Sequence, residues 1–263
     1  MSLSGASVLL TGASGGIGHA VARELSRRGA RVTLTGRRAG VLEPLASELG
    51  ARALSADLSE SDDVNRLVAD AGEVEILVSN AALPASGTLE SFSIEEIDRA
   101  LAVNLRAPIA LAHALVPAMV ARGRGHLVFM SSLAGKAATP GSALYSATKY
   151  GLRGFATALR ADLRASGVGV SAIFPGFIRD AGMFADAQVR LPPGVGTSSP
   201  EDVARAVVTA IERNRGEIDV APLPLRAGTA LAGLAPEISA TIARRLGSEA
   251  LSRRIGAGQR DKR

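Results

Sequence analysis

Short apolar runs alternate with longer amphipathic stretches along most of the chain. The apolar runs are rich in β-branched residues and predict strands at residues 7–10, 31–35, 51–55, 74–79, 126–131, 168–174 and 217–220. Between these runs, apolar residues recur at the spacing of a helix, as in residues 17–28, 41–49, 143–165 and 200–213. The alternation therefore predicts repeated strand–helix–strand units.

The apolar runs also indicate how the predicted strands lie in a sheet. Residues 76–80, ILVSN, and 127–131, LVFMS, are nearly continuous in apolar side chains, as expected of parallel strands covered by helices on both faces. The predicted fold is therefore α/β, a doubly wound parallel sheet. No long Ser/Gly/Pro linker interrupts the alternation before residue 176, and 263 residues with 47% hydrophobic content suffice for one core. We therefore predict a single domain over residues 1–263.

Two later segments depart from the alternation. Residues 177–200 lose the periodicity and are longer than a connection in a compact domain needs to be, so we predict a substrate lid, with an ordinary surface loop as the alternative. Residues 221–263 form a basic extension, and we interpret its end, from residue 244, as a solvated terminus. The apolar positions before that end fit a helix that docks on a neighbouring subunit, an interfacial membrane helix or a part of the lid.

The composition excludes several classes of protein. The chain has no cysteine, which rules out disulfides and thiolate metal sites, and its histidines, His19, His113 and His126, are too scattered to predict a metal site. A net charge of +5 with 3% aromatic residues is not typical of a nucleic-acid-binding protein. The chain has no long uninterrupted apolar run and no basic stretch before its first apolar segment. We therefore expect a cytoplasmic protein, with membrane association only through the C-terminal helix.

The stretch VLLTGASGGIG, residues 8–18, carries the first candidate chemistry. Here a predicted strand runs into a glycine-rich turn and then into a helix, an arrangement that lets a pyrophosphate approach the unpaired amides of the helix N-terminus. A glycine cluster alone fits an ordinary turn equally well, but a second strand about twenty residues later favours a dinucleotide site. The residues predicted to bind the cofactor here are Gly12, Ser14, Gly16, Ile17 and Gly18.

The end of the second predicted strand indicates which dinucleotide binds. An acidic residue there would accept a hydrogen bond from the ribose 2′-hydroxyl of NAD, whereas the 2′-phosphate of NADP needs positive charge. The chain has Gly36, Arg37 and Arg38 at this point. Because a guanidinium matches a phosphate, we predict NADP as the cofactor and keep NAD as the alternative. If Arg37 and Arg38 only occupy an exposed turn, they favour neither NADP nor NAD.

A second candidate site follows the fifth predicted strand. Ser132 stands at the end of that strand, and Tyr145 and Lys149 lie four residues apart on the long helix that comes next, so they share one helical face. A phenol with a reference pKa of about 10 needs a neighbouring cation to exchange protons near neutrality. We therefore expect the Lys149 ammonium to lower the pKa of Tyr145. Ser132 is expected to donate a hydrogen bond to the oxygen of a carbonyl under reduction.

These motifs resemble those of the classical short-chain dehydrogenase/reductase family. The pattern Thr-Gly-x-x-x-Gly-x-Gly, followed by a serine thirteen residues before Tyr-x-x-x-Lys, runs from Thr11 to Lys149, and the resemblance covers about Ser4 to Val220. Each residue alone also fits a helix cap, a buried polar group or a surface pair, but the ordered set is specific. The resemblance implies a Rossmann fold and a homodimer or homotetramer.

The resemblance also implies a role for individual residues. Tyr145 would be the general acid/base, Ser132 the donor that orients the carbonyl, and Lys149 the partner of Tyr145 and a ligand of the nicotinamide ribose. Asn104 would help to hold a water molecule that relays protons from Lys149. The other cofactor contacts that the resemblance implies are Asp57 and Leu58 beside the adenine, Asn80 and Ala81, and Pro175, Gly176 and Ile178 beside the nicotinamide.

The sequence departs from the family pattern at three points. Ala82 stands where a glycine is usual, and Asp180 stands where a threonine commonly contacts the nicotinamide carboxamide. An ionised Asp180 can accept a hydrogen bond from that amide but cannot donate one. The glycine turn has no basic residue, although many NADP-preferring members carry one there.

Together these features predict an NADP-dependent oxidoreductase that interconverts a ketone and a secondary alcohol by hydride transfer, as a carbonyl reductase does. A substrate pocket is predicted from residues 83–92, from residues 133–144 and from the apolar lid residues Phe177, Ile178, Met183, Phe184 and Leu191. This lining suits a hydrophobic small molecule, steroid-like or acyl-chain-like. The alternatives are an NAD-linked alcohol dehydrogenase of the same family and a non-catalytic NADP-binding regulatory protein.

Overall fold

A computed structural model describes residues 1–187, 189, 191, 195–234, 237 and 254–259. Within them, parallel strands form one sheet in the order β3-β2-β1-β4-β5-β6-β7. The strands are β1 Ser7–Thr11, β2 Arg31–Gly36, β3 Arg52–Ser55, β4 Ile76–Ser79, β5 Gly125–Met130, β6 Val168–Pro175 and β7 Glu217–Val220. Each of the predicted strands is present, and the predicted doubly wound α/β fold is confirmed.

Helices cover both faces of the sheet. Among the described residues they are α1 Gly16–Arg27, α2 Ala39–Leu49, α3 Ser61–Ala71, α4 Ile94–Leu101, α5 Ala107–Ala121, α6 Ala143–Asp162, α7 Gly182–Asp186, α8 Pro200–Arg213 and α9 Leu223–Leu234. Helix α4 continues through a π-helical turn at Ala102–Arg106 into α5. Short 3₁₀ turns lie at Leu89–Ser91 and Leu133–Gly135, and residues 254–258 are helical.

The strand order creates a crevice at one edge of the sheet. From β1 the chain proceeds through β2 to β3 on one side, and from β4 it proceeds through β5 and β6 to β7 on the other. The two directions diverge between β1 and β4, which pair in parallel over Val8↔Ile76, Leu9↔Leu77 and Leu10↔Val78. In a doubly wound sheet, ligands bind at such a switch point, beyond the carboxyl ends of the strands.

Two apolar clusters, one on each face of the sheet, form the core. Val8 and Leu10 of β1 pack with residues of α1, α2 and α8, whereas Leu9 packs with residues of α3, α5 and α6. Successive side chains of the strand therefore enter opposite clusters. The central strands β4, β5 and β6 are buried at every position. This burial on both faces explains why their sequences are apolar without alternation.

The helix Ile94–Ala121 has the length and apolar composition of a membrane span. In its most apolar window, 44% of the residues are buried inside the protein. Leu111 and Met119 of this helix are fully buried in the core cluster that also contains residues of α3 and α6. A core helix of a globular domain meets the same test of length and composition, so this helix is weak evidence for a membrane.

His126 is a buried titratable group at the amino end of β5. It is 2% exposed, and its Nε2 lies 2.8 Å from the Ser171 hydroxyl on the neighbouring strand β6. Burial, assisted by the positive charges of the N-terminus and Arg160, lowers the pKa of His126 to about 3. The folded protein therefore holds a neutral imidazole at pH values at which the unfolded chain binds a proton.

We expect His126 to make the protein less stable as the pH falls. The pKa of His126 is about 3 in the folded state against 6.5 for an unperturbed histidine. Above pH 6.5 the imidazole is neutral in both states and does not lower the stability. As the pH falls from 6.5 toward 3, only the unfolded chain gains the proton, and the free energy of unfolding decreases. At about pH 5 the free energy of unfolding should be lower by about 2 kcal/mol from this group.

Urea denaturation at about pH 5 and about pH 7.5 tests this expectation. The change in unfolding free energy between the two pH values should be smaller for His126→Gln than for the wild type. His113→Gln makes the same substitution at an exposed histidine and should leave the pH dependence unchanged. An equal pH dependence in wild type and His126→Gln would contradict the expectation.

Candidate active site

A cavity of about 710 Å³ lies at the crevice between β1 and β4. The glycine turn and the ends of β2 and β3 line one part of it, and the loops after β4, β5 and β6 line the rest. The two candidate sites of the sequence therefore open into one space. The predicted site residues that line it are Gly12, Ser14, Gly16, Ile17, Gly18, Arg37, Arg38, Asp57, Leu58, Asn80, Ala81, Ser132, Tyr145, Lys149, Pro175, Gly176 and Ile178.

The turn between β1 and α1 has no room for side chains at two positions. Gly12 has a φ of +67°, and a Cβ on it would lie 2.7 Å from the Cα of Ala81. A Cβ on Gly18 would lie 2.2 Å from the carbonyl oxygen of Gly12. Both distances are shorter than any normal contact, so glycine is what allows the turn, α1 and the loop after β4 to approach so closely.

The N-terminus of α1 is suited to an anionic group. Its N-cap residue, Gly15, offers no side-chain cap, and its first turn contains no acidic residue. The unpaired amides and the positive end of the helix dipole are therefore available to phosphates. This uncapped helix end, behind a turn without side chains, fits the pyrophosphate of a dinucleotide.

Thr11 holds the glycine turn against the loop after β4. Its Oγ1 accepts hydrogen bonds of 3.0 Å from the amides of both Asn80 and Ala81. The Asn80 Nδ2 in turn donates to the carbonyl oxygens of Thr11 and Gly12, each at 3.2 Å. Asn80 thus positions the cavity wall through the backbone. The sequence motif contains Thr11, but the role of its hydroxyl depends on a loop about seventy residues away and was not predicted.

Arg37 and Arg38 line the cavity directly after β2. The Arg38 Nη2 donates a 2.5 Å hydrogen bond to the carbonyl oxygen of Ser14, which ties Arg38 to the glycine turn. The Arg37 Nη1 lies 3.9 Å from the carboxylate of Asp57, and the Arg37 side chain is 47% exposed. This wide spacing leaves the Arg37 guanidinium donors available to a ligand.

Asp57 has a local structural role in addition to its place in the cavity wall. Its Oδ1 accepts hydrogen bonds from the Ser59 amide at 3.0 Å and the Ser59 hydroxyl at 2.7 Å. Burial opposes ionisation, but these hydrogen bonds and the nearby Arg37 and Arg99 keep the pKa of Asp57 below its usual value. Asp57 is therefore an anion that stabilises its own loop, and its adenine contact stays a prediction.

Ser132, Tyr145 and Lys149 are brought together on one side of the cavity. Ser132 follows β5, accepts a 3.2 Å hydrogen bond from the Ala134 amide and donates one of 3.4 Å to the Pro175 carbonyl. Tyr145 and Lys149 project from α6, and the Lys149 Nζ lies 5.6 Å from the centre of the Tyr145 ring. The Lys149 Nζ donates a 2.9 Å hydrogen bond to the carbonyl oxygen of Met130 at the end of β5.

Burial controls the protonation of Lys149 and Tyr145. It lowers the pKa of Lys149 to about 8. It also raises the pKa of Tyr145, while hydrogen bonding to Ser132 acts in the opposite direction. The expected lowering of the Tyr145 pKa by the Lys149 ammonium is therefore wrong for this structure, because the loss of hydration outweighs the attraction to a cation at this distance.

The loop after β5 and helix α6 are packed tightly enough to fix these side chains. The Ser131 hydroxyl donates a 3.0 Å hydrogen bond to the carbonyl oxygen of Lys149. A Cβ on Gly135 would lie 2.6 Å from that same oxygen. The relative positions of Ser132 and the Tyr145–Lys149 turn are thus set by backbone contacts beside them.

Asn104 lies next to this group but does not line the cavity in the described structure. It is 1% exposed in the π-helical turn. Its Oδ1 accepts a 2.7 Å hydrogen bond from the Leu83 amide, and its Nδ2 donates one of 3.0 Å to the Leu83 carbonyl. The side chain therefore positions the loop after β4, and the role in a water relay stays a prediction.

The predicted substrate pocket is only partly reproduced. Leu83, Leu133 and Ala134 line the cavity, as do the lid residues Phe177, Ile178, Met183 and Phe184, whereas Phe92 and Leu191 do not. Asp180 does not line it either: its side chain is 74% exposed and pairs with Arg179 at 3.5 Å. Asp180 therefore has no contact with the cavity, because a positive φ of 65° turns the chain at this residue and Ala181 lines the cavity instead.

The carboxyl-terminal part of the chain corrects a second expectation. Leu225 and Thr229 of α9, together with Ile255 and Gln259, line the cavity. Gln259 is 2% exposed. The interpretation of the end of the chain as a solvated terminus is therefore wrong for Gly256 and Gln259, which are buried, whereas residues 254, 257 and 258 are exposed. Helix α9 belongs to the wall of the cavity. Residues 238–253 and 260–263 lie outside the described residues, as does part of the predicted lid.

Known proteins share this architecture. The short chain dehydrogenase family profile matches residues 6–190. The ketoacyl reductase HetN of Nostoc sp. is 34% identical over 232 residues, or 85% of this chain and 81% of that protein. A solved metagenomic short-chain oxidoreductase in complex with NADP is 36% identical, with a TM-score of 0.70 over 84% of this chain and 99% of that chain. A solved 3-ketoacyl-(acyl-carrier-protein) reductase from Brucella melitensis complexed with NADH is 28% identical, with a TM-score of 0.74 over 83% of this chain and 98% of that chain.

These similarities extend over the whole site. The matched residues 6–190 include the glycine turn, both arginines after β2 and the Ser132, Tyr145 and Lys149 group. The alignment with HetN covers most of both chains. The chain therefore belongs to the short-chain dehydrogenase/reductase family and is an NAD(P)-dependent oxidoreductase.

Proposed function

We propose that this enzyme is an NADP-dependent carbonyl reductase that converts a hydrophobic ketone into a secondary alcohol. The observation that carries the proposal is the shared cavity, which places Ser132, Tyr145 and Lys149 in the same space as the glycine turn. A ketone beside these side chains would lie next to a dinucleotide bound at the turn. When bound, the nicotinamide supplies the hydride that reduces the carbonyl carbon.

Tyr145 is the proposed proton donor to the carbonyl oxygen. Because burial raises its pKa, the phenol is protonated near neutral pH and can act as a general acid. Oxidation of an alcohol would need the phenolate instead, so the raised pKa suits Tyr145 to the acid role in reduction. Ser132 would turn its hydroxyl away from the Pro175 carbonyl, to which it donates at 3.4 Å, and donate a second hydrogen bond to the same oxygen.

Lys149 is the proposed ligand of the nicotinamide ribose. One of the three donors of its ammonium is held by the Met130 carbonyl, which leaves two for a ligand. With a pKa of about 8, the group is mainly charged at neutral pH. It would then provide positive charge beside the phenol while Tyr145 loses its proton.

NADP is proposed over NAD because two guanidinium groups line the cavity after β2. Their donors suit a 2′-phosphate, and the tie between Arg38 and Ser14 places that charge beside the turn. Use of NAD is the second candidate, since the Asp57 carboxylate 3.9 Å from Arg37 offsets part of the positive charge. The Brucella reductase, complexed with NADH, supports the same alternative.

The proposal extends to the substrate, assembly and location of the enzyme. Apolar side chains of Leu133, Phe177, Met183 and Phe184 in the cavity wall favour a hydrophobic ketone, steroid-like or acyl-chain-like. A non-catalytic regulatory role is disfavoured because it would not require a serine, a tyrosine and a lysine at one point of the cavity. A homodimer or homotetramer, which the family resemblance implies, and the cytoplasmic location that the sequence analysis predicts complete the proposal.

Replacement of Tyr145 tests the reductase activity. With NADPH and a panel of hydrophobic ketones, Tyr145→Phe should lower kcat by about 100-fold or more, because the proton donor is removed. NADPH binding, followed by nucleotide fluorescence, should persist. Tyr150→Phe makes the same change five residues further along the helix at an exposed tyrosine and serves as the control. Wild-type enzyme that binds NADPH but reduces no ketone would support the regulatory alternative.

Replacement of the arginines tests the choice of dinucleotide. Loss of a charge-assisted hydrogen bond of roughly 1.5–3 kcal/mol predicts that Arg37→Ala and Arg38→Ala weaken NADPH binding about 10-fold to 100-fold. NADH binding should change little. Arg27→Ala, at an exposed arginine near the far end of α1, is the matched control. Equal affinity of wild type for both dinucleotides, unchanged in the variants, would contradict the proposed preference.

The pH dependence of reduction tests the role of Lys149. The ammonium is charged below its pKa and neutral above it, so kcat/KM for the ketone should fall as the pH rises through about 8. Lys149→Arg retains the charge at alkaline pH, and although its absolute rate should be lower, that decline should move to higher pH. A decline at the same pH in Lys149→Arg and wild type would assign it to another group.

A further inference from the structure

The segment 254–259 forms a close-fitting wall at the substrate end of the cavity. A Cβ on Gly256 would lie 3.0 Å from the Ser86 carbonyl oxygen, and one on Gly258 would lie 2.9 Å from the Cα of Ala187. These glycines let the short helical turn approach both the loop after β4 and the residue after α7. Ile255 and Gln259 of this turn line the cavity.

Gln259 is held in one orientation by the segment after β6. Its Nε2 donates a 2.8 Å hydrogen bond to the carbonyl oxygen of Met183. Its Oε1 is buried and accepts no hydrogen bond from any of the described residues. Buried polar atoms are nearly always paired, and one that is not suggests a ligand or a water molecule as its partner. One of the two amide N–H groups is engaged by Met183, and the unpaired atom is the oxygen, which can only accept a hydrogen bond.

Among the described cavity residues, Gln259 is the only one with a buried side-chain nitrogen or oxygen that has no hydrogen-bond partner. Met183, Phe184 and Ile255 present apolar side chains. The Thr229 hydroxyl donates a 2.8 Å hydrogen bond to the Leu225 carbonyl within α9. A single unpaired amide oxygen in an apolar wall is the arrangement by which a binding site recognises one polar group on a mainly hydrophobic ligand.

We propose that Gln259 is a specificity-determining residue that accepts a hydrogen bond from a hydroxyl or amide N–H of the substrate. This inference rests on the proposed function and deepens it. It defines the substrate as a hydrophobic ketone with a hydrogen-bond donor remote from the reacting carbonyl. A ketone that ends in a methyl group leaves the Gln259 oxygen unpaired, and it is therefore selected against.

Matched pairs of ketones test this proposal. Each pair has one chain length and ends in either a hydroxyl or a methyl group, and several chain lengths are compared. With NADPH, the wild type should favour the hydroxyl-bearing ketone in kcat/KM, mainly through KM. In Gln259→Leu this preference should fall about 10-fold or more.

Two controls separate recognition from folding and from catalysis. Thr229→Val alters the same wall at a hydroxyl that already has a partner, so the preference between the paired ketones should stay as in the wild type. Binding of NADPH to each variant reports whether the dinucleotide site is intact. The same ketone pairs are also titrated against the NADPH-loaded enzyme, so that the ratio of their Kd values is measured without turnover.

The outcomes distinguish this inference from the proposed function. If wild-type enzyme binds the ketones but does not reduce them, the proposed function fails while the Kd ratio still tests Gln259. The inference would be overturned if the ratio of the Kd values of the paired ketones were the same in Gln259→Leu and wild type. It would also be overturned if the wild-type enzyme bound neither ketone of any pair. A fall in the ratio in Gln259→Leu but not in Thr229→Val would support it.

Discussion

The close approach of the β1–α1 turn to the loop after β4 is the constraint on which the site depends. Gly12 and Gly18 make this approach possible, because a Cβ on either would collide with backbone atoms. Thr11 and Asn80 then fix it with hydrogen bonds across the β1/β4 crevice. The same contact closes the core beneath it and leaves the N-terminus of α1 open above. Fold and dinucleotide site are thus consequences of one arrangement of backbone.

Burial is the second determinant of the chemistry, and it acts in opposite senses on the two groups of α6. Burial lowers the pKa of Lys149, because the ammonium loses its hydration, and raises the pKa of Tyr145, because the phenolate would lose its hydration. The spacing of Tyr145 and Lys149 reveals that they share a helical face, but it does not reveal how much water reaches them. The sequence therefore predicted the pair correctly and the direction of the phenol pKa shift wrongly.

Local patterns explain what could be predicted. The strands and the glycine turn depend on neighbouring residues, and the set of Ser132, Tyr145 and Lys149 lies on consecutive elements, so all were visible in the sequence. Gln259 was missed because its burial depends on contacts with Met183, 76 residues earlier, and no local signal marks such a contact in a basic segment. The exposure of the Asp180 side chain was not visible in the sequence for a related reason, since it goes with a left-handed backbone at this residue.

The contact between Gly16 and Ala181 has a consequence for the order of events in the cavity. A Cβ on Gly16 would lie 2.5 Å from the Ala181 Cβ, so the chain after β6 touches the dinucleotide turn, while Met183, two residues later, holds Gln259. Any displacement of residues 181–183 that admits one ligand also alters the wall that the other contacts. Such a displacement would link the occupancy of the two halves of the cavity thermodynamically, and each ligand would then change the affinity for the other by the same factor.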